Sequence, residues 1–246
     1  MSVVEVLDSH EAYVYGNIGY ELSKLEYEKV SIEVVQGVKV YKLKIKNIEL
    51  KKEEDFNILK ALDKNIKCKH SELIKYLELN KCPHEGWEDL IDYWSCHQGE
   101  FEKLKNLKMI DRPNRIFVAD FYIQTKKKYF PKCCNKSDKL FFNEFTHSIP
   151  DSLLIYTFFT EYFKQLDCIY ILYKGKCFKI KSFYRCHLFK EGNFVEVIKV
   201  GVIEEEMNSK FIRGLNDYYT EKIFKMIREN ITGIKLLNYK LSFITK

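Results

Sequence analysis

Apolar and polar residues alternate over much of the first fifty positions. Ser31-Ile-Glu-Val-Val followed by Gly37-Val-Lys-Val predicts two strands joined by a hairpin turn at Gln36-Gly37. Leu43 and Ile45 then alternate with lysines, and the apolar phase switches near Tyr41, which points to a β-bulge. Glu53 to Leu62 fits a short helix or a loop. Leu73, Ile74 and Leu77, set among charged residues, predict a helix over 71–79. Between 85 and 95 the pattern sharpens. Trp87, Leu90, Ile91 and Trp94 recur at i, i+3, i+4 and i+7, the repeat of one helix face, while Glu88, Asp89 and Asp92 fall opposite. Arg115 to Thr125 reads as a strand, Cys133 to Lys139 as a turn, and Leu140 to Phe145 as another short strand.

The pattern changes at Pro150. Pro150-Asp151-Ser152 is a helix start, and Leu154, Phe158 and Tyr162 carry one face on to about Gln165. Three strand-like runs follow, Ile169–Tyr173, Cys177–Phe183 and Phe194–Ile203, with turns at Lys174-Gly175 and Glu191-Gly192-Asn193. A helix from about Asn216 to Glu229 places Tyr219, Ile223, Met226 and Ile227 on one side, and a last strand ends the chain. The expected fold is α+β. Residues 1–149 would form a β-rich N-terminal lobe with a Cys/His knuckle. Residues 150–246 would form a C-terminal lobe of helices packed on an antiparallel sheet.

Composition narrows the function classes. Hydrophobic residues make up 46% of the 246, enough for a core and too many for a disordered chain. No apolar run approaches the about 18 residues needed to span a bilayer. The first ten residues carry acids where a signal or transit peptide would carry bases, so the expected location is the cytoplasm, the nucleus or both. Net charge is +6, but arginine occurs only at 112, 115, 185, 213 and 228. The positive charge is therefore mostly lysine, a solvated surface charge more than a bidentate phosphate reader. Nucleic-acid binding is not indicated.

Eight cysteines stand at 68, 82, 96, 133, 134, 168, 177 and 186. Cys168 and Cys177 lie in apolar strand-like runs and read as small buried hydrophobes. The others keep polar, lysine-rich or histidine company. Four close pairs have ligand chemistry: Cys68 with His70, Cys82 with His84, Cys96 with His97, and Cys133 with Cys134. None has the C-x₂-C spacing by which one turn offers two thiolates to a tetrahedral ion. Cys68-Lys-His-Ser71 and Cys134-Asn-Lys-Ser137 each fall one atom short of it, with serine in place of the second cysteine. A metal site and reduced knuckles held by packing both fit these spacings. Cys96-His97 and Cys186-His187 also have the residue types of a thiol–imidazole dyad, but neighbours in an extended segment point apart. Motifs for serine hydrolases, phosphate loops, dinucleotide binding and helical zinc proteases are absent.

Trp87-Glu-Asp-Leu-Ile-Asp-Tyr-Trp-Ser-Cys-His97 resembles the W-x-E/D-L-x-x-x-W-x-C-H signature of the HECT-like ubiquitin-conjugating-enzyme-binding family. Cys68-Lys-His-Ser71 stands where that family has a C-x₂-C before the motif. Cys133-Cys134-Asn-Lys-Ser137 stands where it has a second one, and Tyr239-Lys-Leu-Ser-Phe-Ile244 is similar to its C-terminal pattern. The similarity runs over roughly residues 60 to 246. It implies a ubiquitin-protein-ligase-like protein that binds a ubiquitin-conjugating enzyme and promotes ubiquitin transfer to a client. A fungal member implies the alternative, a non-catalytic adaptor or chaperone of the pre-mRNA 3′-end cleavage endonuclease in cleavage and polyadenylation. The resemblance also implies zinc, held by Cys68, Cys96, His97 and Cys134, or by a site re-ligated through His70 or Cys133. A HECT ligase carries its thioester cysteine near the C-terminus, whereas no cysteine follows Cys186 here. Docking of a charged conjugating enzyme is therefore expected in place of a covalent ubiquitin intermediate.

Overall fold

The computed structural model describes residues 3–7, 11–16, 22, 25–46, 48, 50, 56–62, 66–74, 78–82, 115–164, 166–190, 192–206, 212–213 and 215–246. The tryptophan helix expected over 85–95, and Cys96-His97 after it, lie outside these residues. Residues 1–54 supply β1 (Val3–Val6), β2 (Glu11–Tyr15), β3 (Tyr27–Val35) and β4 (Val38–Ile45). Residues 55–150 supply the helix α1 (Ile58–Ala61), β5 (Lys67–Cys68), β6 (Glu78–Lys81), β7 (Arg115–Val118), β8 (Tyr122–Gln124), β9 (Lys139–Phe141) and β10 (Phe145–Thr146). From 151 onward come α2 (Asp151–Phe163), β11 (Cys168–Tyr173), β12 (Lys176–Lys190), β13 (Asn193–Glu205) and β14 (Ile212–Arg213). The chain closes with α3 (Asp217–Glu229), β15 (Lys235–Leu236) and β16 (Tyr239–Thr245). The class is α+β, as the patterning predicts.

Two compact units result. One joins residues 1–54 to 151–246, and the other is residues 55–150. The second unit ends at Pro150, one residue after the expected break at 149/150. The N-terminal strands, however, belong with the C-terminal segment and not with 55–150. The reason is sheet pairing: β1 lies antiparallel to β12, with Glu5 opposite Leu188 and Val6 opposite His187.

In the first unit the described strands form one ten-stranded sheet whose main path runs β15-β16-β13-β12-β1-β2-β4-β3. β12 is long enough to serve two neighbours along one edge. Its first half pairs with β11, its second with β1, and a register shift between Ser182 and Tyr184 separates them. The hairpin at Gln36-Gly37 forms as predicted. Both residues have positive φ, 52° and 80°, as a two-residue turn matched to strand twist requires. The bulge expected near Tyr41 is not on β4: the extra residue is on β3, between Lys29 and Ser31, opposite Leu43 and Lys42. Strand alternation sorts the core. Val4 and Val6 join Val14, Leu43 and Ile45, while Val3 joins Tyr15, Cys186, Val197 and Phe243. Helices α2 and α3 pack on β16 and on each other. The side chain of Asn216 caps α3 by accepting from Tyr219 N–H at 3.0 Å, and Tyr219, Ile223 and Ile227 form its buried face.

Among the described residues, the second unit holds a four-stranded sheet, β6-β7-β8-β9, and the two-stranded ladder β5–β10. Two expectations are corrected here. The single strand over 115–125 is a tight reversal: Ala119 N–H donates to Tyr122 C=O at 2.9 Å, and β7 and β8 pair across it. No helix forms at 71–74 or 78–79, the described parts of the predicted 71–79 helix. Ser71 takes a left-handed φ of 66°, Leu73 bridges to Lys67, and β6 begins at Glu78. The apolar pair Leu73-Ile74 fits an extended segment as well as a helix, because two residues cannot distinguish the periods.

Candidate metal centre

Strand β5 delivers the first residue of the site. Cys68 pairs with Phe145 of β10 and is almost wholly buried. The chain then turns sharply. Ser71 N–H donates back to Cys68 C=O at 2.8 Å, and Cys68 N–H donates to Glu72 C=O at 3.0 Å. This tight loop swings the exposed His70 back beside Cys68. The second segment is the turn after Pro131, where Cys134 N–H donates to Pro131 C=O at 2.8 Å. Cys133 and Cys134 are both half-buried there.

The two segments meet. Cys68 Sγ lies 3.5 Å from Cys133 Sγ, which lies 3.4 Å from Cys134 Sγ, and Cys134 Sγ lies 3.9 Å from His70 Nδ1. One ligand atom from each of the four residues falls within 4.8 Å of all the others. A tetrahedral ion with metal–sulfur bonds near 2.3 Å spaces its ligand atoms by roughly 3.8 Å. Three thiols and an imidazole at these separations could hold a metal ion.

Hydrogen bonding among the thiols is uneven. Burial pushes the Cys68 thiol up, but hydrogen bonds from the Cys133 and Cys134 thiols and from nearby backbone outweigh it and bring Cys68 down to about 7. Burial, and then donation to Cys133 and Cys68, pushes Cys134 up to about 12. Burial also raises Cys133.

Among the expected ligands, Cys68 and Cys134 lie in the cluster, while Cys96 and His97 lie outside the described residues. His70 and Cys133 take the remaining two positions. Both are members of the close pairs visible in the sequence, so the signal was present in their spacing to Cys68 and Cys134. Ser137 Oγ donates to Lys139 C=O at 2.5 Å. Cys82 packs with Ala119 and Tyr122. Cys177 is buried as expected, and Cys168 is half-buried.

Cys186 offers no nucleophile. It is buried at 3% exposure, its Sγ lies 3.6 Å from Glu5 Oε1, and burial followed by the Glu5 charge pushes its thiol far up. A protonated, enclosed thiol is inert. Among the described residues no helix is long and apolar enough to cross a membrane. No family model, curated protein or solved structure matches the chain.

Proposed function

We propose that Cys68, His70, Cys133 and Cys134 hold a structural zinc ion, and that the chain is a ubiquitin-ligase-like protein that docks a ubiquitin-conjugating enzyme. The observation behind this reading is the meeting of two segments 65 residues apart, Cys68-Lys-His70 and Cys133-Cys134, in one four-ligand group. These are the two segments that stand where the resembled family has its C-x₂-C pairs. The zinc assignment follows from donor chemistry. Three thiolates and one imidazole are soft and borderline ligands in a closed set of four, the make-up of structural zinc sites. With all four positions filled, the ion has no open site for substrate. It pins the β5 loop to the turn after Pro131 and does no chemistry itself.

Docking, rather than thioester formation, is the reading for ubiquitin transfer: Cys186, one of the two cysteines that stand next to a histidine in the sequence, is buried against the Glu5 carboxylate and out of reach of a thioester partner. A bound conjugating enzyme would keep its own thioester and pass ubiquitin directly to the client. The test is reconstitution with a ubiquitin-charged conjugating enzyme. Binding, with discharge above the rate of the charged enzyme alone, is the expected result. Neither binding nor extra discharge across a panel of conjugating enzymes would contradict it. Recovery of pre-mRNA 3′-end processing subunits from nuclear extract, without a conjugating enzyme, would favour the adaptor reading instead.

A further inference from the structure

We infer that Cys68 and Cys133 are a redox modification site: peroxide joins them in a reversible disulfide, and the loss of two ligands releases the bound ion. The release step rests on the zinc reading above, whereas the disulfide rests on geometry alone. The two sulfurs are in van der Waals contact at 3.5 Å, and closing to a bond of about 2.05 Å needs a movement of roughly 1.5 Å. They come from separate segments, β5 and the turn after Pro131, so their backbones are free of the constraint that adjacency imposes. Cys133 and Cys134 are as close, at 3.4 Å. Consecutive Cα atoms, however, stand about 3.8 Å apart, inside the roughly 4.4 Å minimum at which disulfides ordinarily form. Proximity favours two bonds equally, and backbone geometry selects one.

Exposure sets the order of events. Cys133 is half-buried and Cys68 is sealed, so a small oxidant meets Cys133 first. The Cys133 thiolate attacks one oxygen of hydrogen peroxide; an S–O bond forms, the O–O bond breaks, and hydroxide leaves. The Cys68 thiolate then attacks Cys133 Sγ; the S–S bond forms, the S–O bond breaks, and a second hydroxide leaves. The two sulfurs give up two electrons to the peroxide, and two protons, from the thiols in the metal-free chain or from the buffer when the thiolates hold the ion, convert the hydroxides to water. Only His70 and Cys134 remain as ligands. Two ligands do not hold zinc against water, so the ion departs. A small dithiol reverses the change by thiol–disulfide exchange.

The experiment treats the purified full chain with hydrogen peroxide in the presence of a metallochromic zinc dye. Thiol counting and non-reducing peptide mapping by mass spectrometry accompany it. The expected result is two thiols lost per zinc released, a peptide cross-linked through Cys68 and Cys133, and recovery of both thiols and zinc with dithiothreitol. Cys133→Ser should abolish the cross-link, and Cys134→Ser should retain it. A Cys133–Cys134 cross-link, or sulfinic acid on Cys133 with no cross-link, would overturn the proposal. The two readings fail separately. A chain that carries no zinc yet forms the Cys68–Cys133 bond overturns the metal assignment and leaves the disulfide standing. A zinc-loaded chain that never forms the bond does the reverse.

Discussion

Lys199 Nζ lies 2.8 Å from Glu5 Oε2, and both side chains are sealed from solvent. The pair is closed by neighbours on every side. Lys199 also donates to Tyr15 Oη at 3.0 Å and Tyr184 Oη at 2.8 Å, while the two tyrosines donate to Glu5 at 2.5 and 2.7 Å. All three ammonium protons and both carboxylate oxygens have partners. A buried ion pair adds little net stability, but removing one partner strands the other charge.

Lys199→Met should therefore destabilise the chain by about 3–5 kcal/mol, read from urea denaturation. Lys199→Met with Glu5→Gln should recover part of that loss, since no charge then stays buried and the tyrosines can still donate to the amide oxygen. A double variant as unstable as the sum of its single variants would contradict the coupling.

Alkaline pH should expose the same cluster. Burial first, then Glu5, raises both Tyr15 and Cys186 above their ordinary values of 10.0 and 9.0. Below pH 9 both groups are protonated in folded and unfolded chains alike, and their contribution is fully present. Above pH 9 the unfolded thiol ionises, and above pH 10 the unfolded phenol does too, while the folded groups keep their protons. Stability should then fall by about 1.4 kcal/mol per pH unit for each group. Denaturation series from pH 8 to 11 measure it, and Tyr15→Phe should make the slope above pH 10 shallower. An unchanged slope would remove Tyr15 from the account.

Gly201 gives a prediction on packing. It faces Leu241 in the β13–β16 ladder, and a Cβ there would sit 2.7 Å from Tyr239 Cβ and 2.8 Å from the Phe183 ring. Gly201→Ala should cost about 1–3 kcal/mol through forced displacement of these rings. A thermal midpoint equal to that of the wild type would show that the strands shift freely.

Much of the fold was legible in the sequence, and the failures share a cause. The hairpin at Gln36-Gly37, the helix capped by Asn216 and the strands from Ile169 to Ile203 announce themselves through local periods and turn residues. The join between β1 and β12 does not. Glu5 and Lys199 stand 194 positions apart, and nothing in Val-Val-Glu-Val marks its acid as buried. The metal group shows the same division. Cys68 and Cys134 follow from the resembled family's spacing, and His70 and Cys133 stand next to them in the sequence. What selects these two is the meeting of the left-handed turn at Ser71 with the turn after Pro131, a contact between segments 65 residues apart that no local pattern announces.

On the zinc assignment proposed above, Cys68, His70, Cys133 and Cys134 complete the ligand set, and Cys96 is dispensable to the ion. Cys96→Ser should retain its zinc through gel filtration in the presence of a weak chelator. Loss of the metal from this variant would return Cys96 to the ligand set.

The central claim is tested most directly by counting metal. Elemental analysis of the wild-type chain and of Cys133→Ser, purified side by side without added zinc, should find one zinc per wild-type molecule and a small fraction of that in the variant. No zinc in the wild type, or equal zinc in both, would contradict the account.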